Sequence, residues 1–252
     1  MPDRMAPAAL QESLARESLA RESLGQEGVS QEGLGDEAPA APRPRTAPSE
    51  ATPRQRALRV RILDAGLEVF SRFGFRGATI DQIAREAGMT KPNLLYYHRT
   101  KKALYKAVLE RTLDDWLEPL RALDAGGEPA AEIAAYLDAK LAMSRADPRA
   151  SRLFAMEVMQ GAPLLADVLS GPLKALVDEK AAVIAGWSAA GRIRPIDPYH
   201  LVFMMWAVTQ HYADFEVQVR AVLGVAEDAD LYPDASRTIR AVFARGLLPD
   251  PA

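Results

Sequence analysis

The sequence predicts an all-α fold, with a small three-helix module over residues 52–99 and a larger helical domain over 100–252. Three observations carry this. After residue 52, apolar side chains recur at three- and four-residue spacing, and no segment alternates with period two over a useful length. The hydrophobic set, 48% of 252 residues, is dominated by Ala and Leu with little β-branched enrichment, which favours helix over strand. Helix-starting residues (Thr or Asp, followed by Pro or Gln) stand where the periodic stretches begin.

Residues 11–35 repeat a pentapeptide, from Gln-Glu-Ser-Leu-Ala to Gln-Glu-Gly-Leu-Gly. Five residues turn a helix by roughly 140°, so successive leucines form no stripe. Residues 1–51 therefore read as a disordered tail, with an inert role favoured over partner binding. Thr52-Pro53-Arg54-Gln55 is a capping box with Pro at the first helical position. The helix it opens carries Leu58, Ile62, Ala65, Val69 and Phe73 on one face, and Gly74 is expected to end it. Thr79-Ile80-Asp81-Gln82 is a second capping box, opening a helix that Gly88 cuts short. Thr90 caps a third, which begins Lys91-Pro92-Asn93. Thr100 caps a fourth, with Leu104, Val108 and Trp116 on its buried side. Further helices are expected near 129–145, 149–160 and 172–190. Another spans 198–220, capped by Asp197 with Pro198 behind it, and the last covers 233–245 with Gly246 after its end.

Composition excludes several kinds of chemistry. There is no cysteine, so disulfides and thiol-based metal or redox sites are absent. His98, His200 and His211 are too scattered for a metal site. The longest apolar run, Leu201 to Val208, is too short to span a bilayer. The N-terminus leads into no apolar segment of the secretory kind, so the expected compartment is the cytoplasm, with no membrane partner. No nucleophile–base–orienter set or Gly-rich phosphate loop can be assembled, which makes an enzyme, even one acting on pyrimidines, a remote alternative. No cofactor is expected.

Charge is unevenly distributed. The net value is −3, but residues 54–116 hold 13 basic and 7 acidic side chains, while residues 1–50 hold 5 and 9, and residues 117–252 hold 13 and 18. One basic segment inside an acidic chain is what a module that meets phosphate looks like. Within it, the second and third helices joined through Ala87-Gly88-Met89-Thr90 form a helix-turn-helix of the homeodomain-like kind, over residues 78–97. Gly88 supplies the tight turn, Ala84 permits a close crossing, and Ile80, Ile83, Leu94 and Leu95 can close a small core. The third helix then presents its N-terminus to the major groove of double-stranded DNA. Lys91 can reach guanine acceptors or phosphate, and Asn93 can pair with adenine. Thr79, Gln82 and Thr90 sit at helix N-termini suited to phosphate. Tyr96, Tyr97 and Lys101 are further candidates for the sugar–phosphate backbone.

These residues also carry a resemblance. Phe70-Ser71-Arg72-Phe73-Gly74-Phe75, Thr79-Ile80-Asp81-Gln82-Ile83-Ala84, Ala87-Gly88 and Lys91-Pro92-Asn93-Leu94-Leu95-Tyr96-Tyr97 resemble the TetR family of regulators. The family implies a homodimer, usually a repressor, with an effector site and dimer interface in its C-terminal helices. His98 and Lys102 depart from the usual Phe and Glu of the pattern. His98 can pack as an aromatic or, if charged, join Lys102 on the phosphate-facing side. Three later stretches resemble the pyrimidine-utilisation subgroup of that family: Ala150 to Phe154, Gly161 to Leu165, and Ile184 to Phe215. The subgroup implies uracil, or thymine, as the effector that weakens operator binding.

On the 198–220 helix, Trp206, Thr209, Gln210, Ala213 and Asp214 fall on one side by i, i+3, i+4 spacing. An indole offers a stacking surface for a planar base, and a Gln amide matches the donor–acceptor edge of uracil. The residues alone favour the reading that Trp206 is core and that Gln210 and His211 satisfy backbone groups or the dimer partner. With the resemblance, Trp206 and Gln210 become the ligand candidates, followed by Trp116, Thr209 and Asp214. The fourth helix runs from Lys101 beside the DNA to Trp116, so a ligand-driven shift of it would change the separation of the two recognition helices. The helices at 172–190 and 198–220 are expected to pair with a second copy, with Ala181, Ala182, Ala185 and Ala189 as a small-residue face. A larger lipophilic or aromatic effector remains the alternative.

Overall fold

The computed structural model describes residues 52–249, so the repeat-bearing tail expected over 1–51 lies outside the described residues. Side-chain caps start the first four helices. In α1 (Pro53–Gly77), Thr52 Oγ1 accepts the Gln55 N–H, while Gln55 Oε1 accepts the Thr52 N–H at 2.9 Å. The same reciprocal box between Thr79 and Gln82 opens α2 (Ile80–Glu86). Thr90 accepts from the Asn93 N–H to open α3 (Lys91–Tyr97), and Thr100 from Ala103 to open α4 (Lys101–Arg121). Each bond satisfies an N–H that helix geometry leaves without a partner. Gly74, at φ 66°, breaks the helical run of α1 as expected, and Phe75–Gly77 then add one more turn before Ala78.

The second half contains α5 (Pro129–Ala146), α6 (Pro148–Met159), α7 (Lys174–Ala189), α8 (Pro198–Asp214), α9 (Glu216–Leu223) and α10 (Tyr232–Leu247). A single turn at Ala166–Val168 and a π-helical segment, Leu169–Leu173, lead into α7. Two expectations are corrected. The helix read as 198–220 is two helices, broken at Phe215 (φ −117°, ψ 30°). Arg152 Nη1 donates to the Ala213 carbonyl at 3.2 Å and Ser151 Oγ donates to Asp214, so tertiary bonds terminate a run that apolar periodicity would continue. Gly246 does not follow α10 but lies inside it, because the next residue, Leu247, is buried in the core.

Two cores hold the described residues together. The first gathers Ile62, Phe70, Ile83, Leu94, Leu104 and Leu109 with Leu153 and Leu165. It therefore joins the three N-terminal helices to α4, α6 and the turn behind α6. The second gathers Leu117, Leu120, Leu137, Ile184, Leu201, Met205 and Ile239. Helix α4 runs through both, and Phe154 of α6 packs against both.

The α1–α4 crossing depends on Gly66. A Cβ there would meet Val108 Cγ2 at 2.9 Å, too close without moving one helix. Gly66→Val is expected to destabilise the fold by about 1–3 kcal/mol through overpacking, read as a lower urea midpoint at unchanged m-value. An unchanged midpoint would contradict close packing at this crossing.

Candidate DNA interface and ligand cavity

The turn between α2 and α3 is closed by backbone bonds: Gly88 N–H to Arg85 O at 3.0 Å and Met89 N–H to Ala84 O at 2.9 Å. Gly88 has φ 62°, a left-handed conformation that favours glycine. Ala84, Ile83 and Leu94 are buried beneath, with Ile80 packed against them. This leaves the N-terminal residues of α3 outward. Lys91, Asn93, Thr90 and Thr79 are exposed, and Tyr96 is 83% exposed. Gln82 is half-buried in its capping box, and Tyr97 packs on the first core.

Besides the capping residues, both lysines among the expected contact residues are already engaged within the chain. Lys91 Nζ pairs with Asp81 Oδ2 at 2.9 Å, both side chains well exposed, so the pair is weak and open to exchange for phosphate or a base. Lys101 Nζ donates to the Ala78 carbonyl at 2.9 Å and lies 4.8 Å from the centre of the Phe75 ring. Its ammonium fastens the chain that leaves α1 to the start of α4. His98 is half-buried. Burial and the Arg59 guanidinium hold it below its ordinary 6.5, which favours the neutral ring over the charged one. Lys102 is exposed. Sequence reasoning passed over Leu58, Arg61 and Met89, which line a cleft with Asn93, Tyr96 and Tyr97 beside α3.

The second site is a cavity of about 670 Å³ between α4, α5, α6, the π-helical segment and α8. Trp116, Trp206, Gln210 and Asp214 line it together. Thr209 does not: it is fully buried, and its hydroxyl donates to the Met205 carbonyl of its own helix at 2.7 Å. Residues 206, 210 and 214 advance by four, about 40° per step, whereas three residues turn the helix about 300° and swing Thr209 off that stripe.

The indole of Trp206 donates to Tyr136 Oη at 2.7 Å. Asp214 accepts from Ser151 Oγ. Burial pushes the Asp214 carboxyl up, while that bond and the charges of Arg152, His211 and Lys140 pull it back. Arg152 also lines the cavity, but its guanidinium is held by the Ala213 carbonyl and Glu216. The Gln210 amide has no partner among the described residues.

Lys140, which the sequence reading missed, is only 3% exposed, and its ammonium lies 4.2 Å from the centre of the Trp116 ring. It makes no hydrogen bond or ion pair among the described residues. The signal was present: Ile133, Tyr136, Leu137, Lys140, Leu141 and Ser144 form the buried stripe of α5, and a lysine on an apolar stripe needs a reason.

Residues 62–108 match the family model of bacterial regulatory proteins, tetR family, and residues 109–250 match that of the YcdC-like protein, C-terminal region. The chain is 51% identical over 189 residues to the HTH-type transcriptional regulator RutR of Escherichia coli, covering 75% of this chain and 89% of that protein. The chain belongs to the TetR family. It is a helix-turn-helix transcriptional regulator and not an enzyme. The transcriptional repressor SCO4008 of Streptomyces coelicolor is 33% identical over 104 residues, covering 41% of this chain and 51% of that one. Among solved structures, the transcriptional regulator SCO4942 of Streptomyces coelicolor superposes with a TM-score of 0.58 at 26% identity, over 77% of this chain and 99% of that one.

In this TetR-family chain, α7 and α8 both leave small, apolar and aromatic residues outward. Ala182, Ala185, Gly186 and Ala189 of α7 and His200, Phe203, Met204, Ala207 and His211 of α8 are exposed. Ala181, expected on that face, is instead 3% exposed in the chain's own packing. No described helix is long and apolar enough to cross a membrane.

The buried lysine gives stability a distinct pH dependence. Burial pushes the Lys140 ammonium down to about 8, partly offset by the charge of Asp214. The unfolded chain holds that proton up to the ordinary 10.5, so between about pH 8 and 10.5 the unfolded state binds more protons and stability rises with pH. Below pH 8 the full cost of the buried charge is present. Lys140→Met is expected to be more stable than the parent at pH 7 by urea denaturation, with the difference shrinking from pH 8 to 10. A difference that is flat across that range would contradict the depressed ammonium.

Proposed function

We propose that this protein is a dimeric, cytoplasmic repressor that binds a two-fold operator and releases it when a pyrimidine such as uracil fills the cavity. One observation carries the reading: two tryptophans and an unpartnered Gln amide, all expected from the sequence, line a single cavity. Trp206 and Trp116 bound the ring, Gln210 meets its donor–acceptor edge, and Asp214 takes an N–H. Thr209 keeps the α8 backbone in order behind them. The 51% identity to the transcriptional regulator RutR over most of both chains supports a regulator of the same kind.

The route from cavity to DNA runs through α6 as well as α4. Phe154, Ala155, Met156, Val158 and Met159 of α6 line the cavity, while Ala150 and Leu153 pack into the core of the DNA-binding module. Arg149 pairs with Glu68 of α1, and Tyr105 of α4 donates to Glu157 of α6. Ligand contact on α6 therefore shifts α1 and α4 together, and with them the recognition helices of the dimer. Two-fold operators demand those helices about one DNA turn apart, ~34 Å, so a small displacement weakens binding. The dimer forms through the exposed α7–α8 face.

At the operator, Lys91 and Asn93 read base edges or phosphate; Thr79, Gln82, Thr90, Tyr96, Tyr97 and Lys101 meet or position the phosphate backbone. A second reading has a specific observation behind it. The cavity is several times larger than a pyrimidine and is lined by Leu113, Leu117, Met156, Val158, Met159, Leu169 and Leu173, which also suits a larger lipophilic effector.

Thermal-shift measurement separates the two. Uracil at ten or more times its Kd is expected to raise the melting temperature and to dissociate operator DNA, and Trp206→Ala is expected to abolish both responses. Stabilisation by lipophilic compounds with no response to any pyrimidine would sink the first reading. For the DNA face, Lys91→Ala is expected to lower operator affinity and reduce the salt slope of log K by about 1. An unchanged slope would remove Lys91 from the phosphate contacts.

A further inference from the structure

We propose that Lys140 is the ligand-selecting residue of the cavity, donating to a carbonyl oxygen of a small planar ring whose adjacent N–H is taken by Asp214. The occupant is thus a ring with a cis-amide edge, –NH–C(=O)–. This rests on reading the cavity as a pyrimidine site and assigns its polar end.

Four facts carry it. The Lys140 side chain is only 3% exposed, and its ammonium opens onto the cavity with no hydrogen bond among the described residues. An ammonium largely withdrawn from solvent is costly to keep without such partners, and among the described residues the indole of Trp116 and the charge of Asp214 offset part of that cost. The neighbouring cation, Arg152, is already held by the Ala213 carbonyl and Glu216, so it does not compete for the ligand. The Trp206 N–H is likewise committed, to Tyr136. Lys140 is the lining cation whose donors are uncommitted, and an ammonium has three donors and no acceptor. Such a group favours a ring oxygen over a ring amino group. Asp214, bonded to Ser151 through one oxygen, keeps the other for an N–H beside that carbonyl. Trp116 then both bounds the ring and holds the ammonium beside it.

The test is calorimetric titration of the full chain with uracil, 2-thiouracil and 4-thiouracil, for the parent, Lys140→Met and Lys140→Gln. Sulfur is a weaker acceptor than oxygen at the same position. The parent is expected to bind uracil and to lose affinity for one thio derivative. Lys140→Met is expected to bind uracil about 10- to 100-fold more weakly, the usual cost of losing a hydrogen bond to a charged group, and to show no penalty for that same derivative. Lys140→Gln, which keeps a donor, is expected to recover part of both. Retained operator binding and helical circular dichroism identify a folded variant. If Lys140→Met binds uracil as the parent does, or keeps the thio penalty, Lys140 does not touch the carbonyl and the proposal fails while the pyrimidine reading stands. If the parent binds none of the three, the pyrimidine reading fails and takes this assignment with it.

Discussion

Helix α6 is the constraint on which the rest of the structure depends. Its Ala150 and Leu153 are buried with Ile62, Phe70 and Leu104 in the core that supports the helix-turn-helix. Its Phe154, Met156 and Met159 form a wall of the cavity. Twelve residues thus belong to two sites at once. Close-packed interiors transmit displacement and do not absorb it, so the DNA-binding module and the cavity cannot be adjusted separately. The polar links are few and specific: Arg149 to Glu68 on one edge, and buried Glu157, which receives Tyr105 from α4 and the Leu164 N–H from the turn beyond.

The cavity carries its own cost. A stability-optimised helical domain would fill the α5 stripe with leucine. Here Lys140 sits in it against Trp116, and Gln210 faces the same space with no partner among the described residues. On the proposed reading, the gain that offsets them comes on binding, when the same donors and acceptors are satisfied. On the DNA side the economy differs. Lys91 rests on Asp81 in an exposed pair that exchanges at little cost, whereas Lys101 is tied to the Ala78 carbonyl and the Phe75 ring and fixes the register of α4 beneath the reading helix.

Much of this was legible in the sequence, and where it was not the reason is physical. The caps at Thr52, Thr79, Thr90, Thr100 and Asp197 all form as the local chemistry dictates, because capping involves residues three apart and little else. The break at Phe215 was invisible, since it depends on Ser151 and Arg152 more than 60 residues away. The same distance effect hid the pairing of Lys101 with the end of α1. In the cavity, the four-residue steps of Trp206, Gln210 and Asp214 were readable from helix periodicity, and Thr209 was misjudged because a three-residue step leaves that stripe. Lys140 was the informative anomaly: a charge at helical spacing on the apolar stripe of α5.

The central claim is mechanical: filling the cavity moves α6, and α6 moves the recognition helices. The chain has no cysteine, so Arg85→Cys, on the exposed side of α2, gives one spin-label site per protomer. Double electron–electron resonance across the dimer, with and without uracil, measures the change directly. The account predicts a distance distribution that shifts when uracil is added, with the shift removed in Trp206→Ala. An identical distribution in the two states, at uracil concentrations that release operator DNA, would contradict it.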